Sequence, residues 1–191
     1  HGGAWLMLRT DADLRKRSAK ATQLMGIIFL VCFLGAGAWL YFGNIQGYTL
    51  VQPFDTNGVA NPLAKEVLTN ANPGWMNNYS DYPITMIAPI MATLGGLIMI
   101  LGACTAKAGI TSTGSSLAVT GAILTAGFAL FPFLMPSSLN PTVSLTMWDA
   151  VSSKNTLTVM TVAACIFVPL ILIYTTWCYY KMWGVITNKH V

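Results

Sequence analysis

The chain has 191 residues, of which 54% are hydrophobic and only 8% charged, against roughly 25% charged in an ordinary soluble domain. The mean hydropathy is +0.60. Too little charge is present to cover a globule of this size, so a soluble enzyme, a disordered tail and a disulfide-rich secreted scaffold are all disfavoured; an integral membrane protein remains. The net charge of +4 does not indicate nucleic acid. Arg9, Arg15, Lys16, Arg17 and Lys20 lie together just ahead of an apolar run, the pattern of a topology signal.

The sequence starts His1-Gly-Gly-Ala-Trp-Leu-Met-Leu, without methionine. This reads as the end of an apolar helix whose start is missing, over residues 1–9, and hence as a fragment forming a single membrane domain, 1–191. A hydrocarbon core of ~30 Å needs about 20 helical residues. Four windows meet that length. Residues 21–43 and 83–106 contain no Asp, Glu, Lys or Arg. The uncharged run 108–148 is broken by Pro136, Ser137, Ser138, Asn140 and Pro141, leaving a helix near 114–135. The fourth window is 155–183, uncharged to Tyr180. Backbone groups inside a bilayer must be paired internally, so each window is a helix. The expected fold is all-α: four complete transmembrane helices plus the end of a fifth.

Orientation follows from the loops. The segment before the first span, the connection carrying Lys107 and the tail with Lys181 and Lys189 share one side if the spans alternate. They hold all of the 10 basic residues except Lys65 and Lys154. The other side holds Asp55, Glu66, Asp81 and Asp149. The positive-inside rule places the basic loops and C-terminus in the cytoplasm and the loops 44–82 and 136–154 on the outer face. Within the first outer loop, Asn61 and Pro62 read as an N-cap and first residue of a short helix near 62–69. Asn78-Tyr79-Ser80 matches a glycosylation acceptor, a common pattern that carries little here.

Candidate chemistry is sparse. No ionisable residue lies in the centre of a span, which argues against a proton relay or a self-contained transporter. His1 and His190 are the 2 histidines, neither inside a complete span, so paired histidine ligation of haem within the spans is excluded. Methionines such as Met25, Met86, Met91, Met99, Met135 and Met160 read as apolar fillers. Cys32, Cys104, Cys165 and Cys178 are scattered and form neither a zinc site nor a disulfide pattern. Pro89, Pro132 and Pro169 lie in or near helices and read as tolerated membrane prolines or as kinks. Gly35, Gly37, Ala92, Gly96, Gly121 and Gly127 allow close helix approach. Tryptophans and tyrosines cluster near span ends as interface belts. The densest pattern runs from Phe131 to Ser153, ending one helix and restarting another. In it Asp149, Ser152 and Ser153 read as capping groups rather than catalytic ones.

Here a resemblance emerges. Phe131-Pro132-x-x-Met135-Pro136-Ser137-Ser138, followed by Ser144-Leu145-Thr146-x-Trp148-Asp149-Ala150-x-Ser152-Ser153, resembles the signature of subunit II of bacterial cytochrome bd-type quinol oxidases. Thr156-Leu157-x-Val159-Met160 and Pro169-x-x-Leu172-x-Tyr174-x-x-Trp177-x-Tyr179-x-Lys181 continue it. Asn61-Pro62-Leu63-x-Lys65-Glu66-Val67 and Gly2-x-Ala4-x-Leu6-x-x-Arg9-Thr10 are similar as well. The resemblance implies the C-terminal half of that subunit, in a bacterial inner membrane. It implies a partner, subunit I, that holds haem b and haem d and oxidises quinol while dioxygen is reduced to water. This chain would be haem-free and non-catalytic alone, supporting assembly and shielding of the haems. A small single-helix subunit, and a quinone or lipid held in the bundle, are further partners the family allows. Half of a membrane transporter and a quinone- or lipid-binding scaffold are the competing readings.

Overall fold

The computed structural model describes residues 1–43, 45–51, 65–71 and 74–184. In chain order these form α1 (Gly2–Arg9), α2 (Ala12–Phe42), β1 (Gln46–Leu50), β2 (Val67–Ala71), α3 (Asn77–Asp81), α4 (Ile87–Cys104), α5 (Ala108–Leu130), β3 (Phe133–Met135), β4 (Leu145–Thr146) and α6 (Lys154–Lys181). The 4 helices α2, α4, α5 and α6 are long and apolar enough to cross a membrane. The fold is an all-α membrane architecture, trimmed by two short antiparallel ladders at one end, β1 with β2 and β3 with β4.

Element bounds differ from the sequence reading in instructive ways. α2 starts at Ala12 rather than near 21, because the basic segment is itself helical behind Asp11, with Asp13 in its first turn. An acidic residue there complements the helix dipole. α5 runs 108–130 rather than 114–135. Pro132 cannot continue a helix and pushes Phe131 out of the helical region, to φ −55° and ψ 135°. The three residues beyond it pair as β3 instead. The short helix expected near 62–69 is corrected. Residues 62–64 lie outside those described, and Val67–Ala71 forms a strand opposite Gln46–Leu50. Val67, Leu68 and Thr69 suit a pleated surface, and cross-strand pairing overrides a local capping signal. His190 also lies outside the described residues.

The core of the bundle is the α4–α5 pair. The residues α4 buries include Ala88, Ala92, Gly95, Met99 and Gly102; α5 buries Thr111, Gly114, Ser115, Ala118 and Gly121. Both sets recur at helical spacing and, Met99 apart, consist of small residues. A Cβ added to Gly95 would sit 2.4 Å from the backbone N of Ala118, one on Gly114 2.5 Å from that of Met99, and one on Gly121 2.3 Å from that of Ala92. The two backbones therefore touch along most of the span, as membrane helices do when packing and not water exclusion drives association. The other face of α4 receives α2: Gly96 lies against Leu30, and Gly26 of α2 lies against Met99 and Ile100.

Span hydroxyls are turned back on their own helices. Thr22 donates to Ser18 O, Thr93 to Pro89 O, Thr111 to Lys107 O and Thr125 to Gly121 O. Pro89 falls in the first turn of α4, where its missing N–H costs nothing, and Pro169 lies inside a continuous α6. The turn from α4 to α5 closes by Lys107 N–H donating to Gly102 O at 2.9 Å, with Ala106 at φ 52°. That is the helix-ending arrangement in which glycine is preferred.

Two outcomes follow. Gly95→Val or Gly121→Val lowers the melting temperature of the full-length protein in detergent, by the equivalent of about 1–3 kcal/mol of overpacking or more, whereas Gly127→Ala, which meets nothing within 4 Å, leaves it unchanged. Ala106→Gly raises it, by the ~1 kcal/mol that an L side chain costs in the left-handed region.

Candidate functional site: a polar cap at the helix ends

The residues of the Phe131–Ser153 pattern, together with Lys65, converge at one end of the bundle. α5 ends at Leu130, and the Phe131–Pro132 peptide is cis. Phe133 pairs with Thr146, and Met135 with Leu145. Ser137 N–H donates to Ser144 Oγ at 3.0 Å, and Asn140 N–H lies 3.4 Å from Ser137 Oγ. Phe131 meets Trp148 edge-on, with ring centroids 6.3 Å apart. Pro136 is partly buried, while Met135, Ser138 and Ser152 are exposed.

Asp149 is the centre of this cap. Its side chain is 1% exposed and pairs with Lys65, whose side chain is fully buried. The same oxygen, Oδ2, accepts from Thr146 N–H at 3.0 Å and from Thr146 Oγ1 at 2.6 Å. Burial alone raises the carboxyl's pKa; donation from the Lys65 ammonium and from Thr146 outweighs it and holds Asp149 below the ordinary aspartate value. Asp149 is thus not a helix cap, as its position suggests, but the acceptor that closes the turn after β4. Ser153 does cap α6, accepting from Thr156 N–H at 3.4 Å.

Three residues that the sequence did not assign to this site, Tyr48, Asn78 and Tyr79, complete the cap. Tyr48 on β1 donates to Ser137 O at 3.0 Å and packs against Trp75 and Phe133. Asn78 donates to Phe128 O at 2.8 Å and to Phe131 O at 2.5 Å, satisfying carbonyls at the end of α5 that have no helical partner. Tyr79 donates to Thr125 O at 2.7 Å, and burial pushes its phenol pKa up. The Asn78-Tyr79-Ser80 triplet is therefore a structural clasp. Its signal in the sequence was a local polar cluster beside a span, which also fits a modification motif.

Two cavities lie inside the bundle. One, about 220 Å³, is lined by His1, Thr22, Met25, Met99 and Ser115 among others. His1 Nδ1 lies 3.0 Å from Ser115 Oγ. The volume is below the roughly 300 Å³ at which ligand pockets begin, and His1 is the one histidine among the described residues, so a haem held by two histidines does not fit. The other, about 680 Å³, lies next to the cap between α2, α4 and α5, lined by Phe33, Gly37, Tyr41, Met86, Thr125 and Ala126 among others. Among the described residues no group of three or more His, Cys, Asp or Glu could hold a metal ion.

Four helices long and apolar enough to cross a membrane, two of them in backbone-close contact, with a polar cap at one end, define a polytopic α-helical membrane protein. Residues 1–182 match the family described as cytochrome bd terminal oxidase subunit II. The chain is 43% identical over 190 residues to the cytochrome bd-I ubiquinol oxidase subunit 2 of Escherichia coli strain K12, covering 100% of this chain and 50% of that one. It is 37% identical over 196 residues to a probable cytochrome oxidase subunit 2 of Haemophilus influenzae, 51% of which is covered. It is 27% identical over 192 residues to the cytochrome bd ubiquinol oxidase subunit 2 of Bacillus subtilis, 47% of which is covered. The chain belongs to the cytochrome bd oxidase subunit II family and is a multi-pass protein of a bacterial inner membrane. It spans about half the length of the curated relatives it matches.

The buried pair sets a pH and mutational signature. Lys65→Met or Asp149→Leu alone strands a buried charge and lowers stability by about 3–5 kcal/mol, while the double substitution recovers most of the loss. Because the folded-state pKa of Asp149 is lowered, its contribution is complete above the ordinary aspartate value and disappears as pH falls through the lowered one. Melting temperatures of wild type and double variant, similar at neutral pH, should therefore separate on acidification below that value, with wild type falling further.

Proposed function

We propose that this chain is the haem-free subunit II of a respiratory quinol:oxygen oxidoreductase, in which quinol is oxidised and dioxygen reduced to water on a haem-bearing subunit I. The observation that carries this reading is the family match over residues 1–182, joined to span centres that contain no Asp, Glu, Lys, Arg or His. The role of the chain is then assembly and shielding. Its exposed apolar helix faces cover the partner's haem region, and dry surroundings tune redox centres and limit side reactions. Haem b and haem d belong to subunit I; their chemistry is electron transfer from quinol to oxygen. A small single-helix subunit accompanies the pair in this reading. The basic loops and the C-terminus face the cytoplasm, which puts the cap around Asp149 on the outer face.

A second reading, in which the subunit holds a quinone or lipid, is favoured by the 680 Å³ cavity with its apolar walls. A transporter half is disfavoured, because residues 21–43, 83–106, 114–135 and 155–180 carry no Asp, Glu, Lys or Arg.

The test is affinity purification of the full-length protein from its native membrane in mild detergent, with partner identification and a reduced-minus-oxidised visible spectrum. A larger co-purifying subunit with b- and d-type haem bands is expected. A colourless preparation without a stoichiometric partner overturns the assignment. Trp148→Ala is expected to lower the yield of assembled complex while turnover per haem stays at the wild-type value; normal assembly with selectively lost turnover contradicts the scaffolding role. Solvent extraction of the pure complex decides whether a quinone is retained.

A further inference from the structure

The five clustered cations Arg9, Arg15, Lys16, Arg17 and Lys20 do not behave alike. Arg9 is held between two rings, 4.8 Å from the centroid of Trp5 and 3.9 Å from that of Trp183. Arg15 turns inward and donates to Ala106 O at 2.8 Å, across the α4–α5 turn. Lys16, Arg17 and Lys20 are exposed, and among the described residues no carboxylate pairs with them. A topology signal needs only charge on one side of the membrane. It does not require that three cations share one unpaired helix face.

That face continues into the membrane. At 3.6 residues per turn, Lys16, Lys20, Leu24, Ile27 and Val31 lie within an arc of about 80° on α2, with Arg17 at its edge. Leu24, Ile27 and Val31 are 57%, 52% and 66% exposed. The residues α2 buries at the same level, Ser18, Ala19, Thr22 and Gly26, lie on the opposite side. From Lys20 to Val31 the helix rises about 16 Å, close to half of the ~30 Å hydrocarbon core. A cationic head and an apolar track one leaflet long are therefore collinear on the surface turned away from the bundle.

We propose that this face of α2 is a binding site for an anionic phospholipid, with Lys16, Arg17 and Lys20 taking the headgroup phosphate and the Leu24–Ile27–Val31 track taking an acyl chain. Charge complementarity selects this occupant: a zwitterionic lipid or an apolar helix satisfies the track but leaves the three cations without counter-charge. Clusters of Lys and Arg directly beside a transmembrane helix attract anionic lipid with about 1 kcal/mol per residue, and that attraction is screened by salt. The site is independent of the oxidase reading.

The full-length protein, purified from its native membrane with the partners it retains and delipidated in a neutral detergent, is titrated with phosphatidylglycerol or phosphatidylcholine in mixed micelles, with bound lipid counted by native mass spectrometry. Phosphatidylglycerol is expected to bind in preference, and more weakly as salt rises. The Lys16→Gln/Lys20→Gln variant should bind it roughly 30-fold more weakly at low salt. Lys16→Arg/Lys20→Arg should retain affinity, and Lys107→Gln, away from this face, should match wild type. Equal binding of phosphatidylcholine overturns the proposal, as does unchanged phosphatidylglycerol affinity in the double Gln variant.

Discussion

Backbone contact between α4 and α5 is the constraint on which the remaining structure depends. Lipid tails are as apolar as leucine, so two helices in a bilayer gain nothing by hiding hydrophobic side chains from each other. What they gain is dispersion, and that requires atoms to be close. Gly95, Gly114 and Gly121 remove the side chains that would hold the backbones apart. α4 is small-faced on two sides, and its second side, at Gly96, accepts Leu30 of α2. α1 then packs on α2 through Gly3, where a Cβ would sit 2.4 Å from the hydroxyl of Thr22. The order of packing runs outward from a single glycine seam.

The cap is held by the opposite principle. Outside the hydrocarbon region the chain has few long apolar side chains to bury, and segments distant in sequence are joined by directed polar bonds. Lys65 and Asp149 are 84 residues apart, Tyr48 and Ser137 are 89 apart, and Asn78 reaches 50 residues to Phe128. A buried ion pair contributes little net stability against an apolar substitute, but each partner rejects any arrangement that leaves it unpaired. At the Lys65–Asp149 contact this selects one register between the β1–β2 hairpin and the turn after β4. The shared acceptor Oδ2 makes the selection stricter, since Thr146 must also be in place.

This division explains what was legible in the sequence. The spans were, because about 20 uncharged residues in a row have one stable form in a bilayer. The ends were read less well. α2 begins nine residues earlier than its apolar run, since Lys and Arg are good helix formers and an amphipathic entry needs no apolar stripe. The Asn-Pro signal upstream reads as a short helix near 62–69, and only the partner strand at Gln46–Leu50 reveals that Val67–Thr69 are extended. In the cap, Ser153 was readable because its partner, Thr156, is three residues away. Asp149 reads as polar punctuation and Lys65 as part of a resemblance motif, but no local pattern announces their contact across that separation. The acceptors of Asn78 are hidden for the same reason, since they lie at the end of another helix.

α6 shows what such a chain can contribute. Its apolar window has the highest mean hydropathy of the four spans, 2.5, and none of that window is buried within the described chain. It lacks the small-residue face that joins α4 to α5. Among the described contacts it is fixed near its ends, by the Ser153 cap at one, and by Trp5 against Tyr179 and Arg9 over Trp183 at the other. A helix that is apolar all round and held at its ends presents its whole length to lipid or to another membrane surface. In the spans beside it, several threonine hydroxyls bond carbonyls of their own helix, and residues 21–43, 83–106 and 114–135 carry no Asp, Glu, Lys or Arg. The helix bundle thus presents apolar area on α6, with the glycine seam between α4 and α5 on one side and the polar cap at one end.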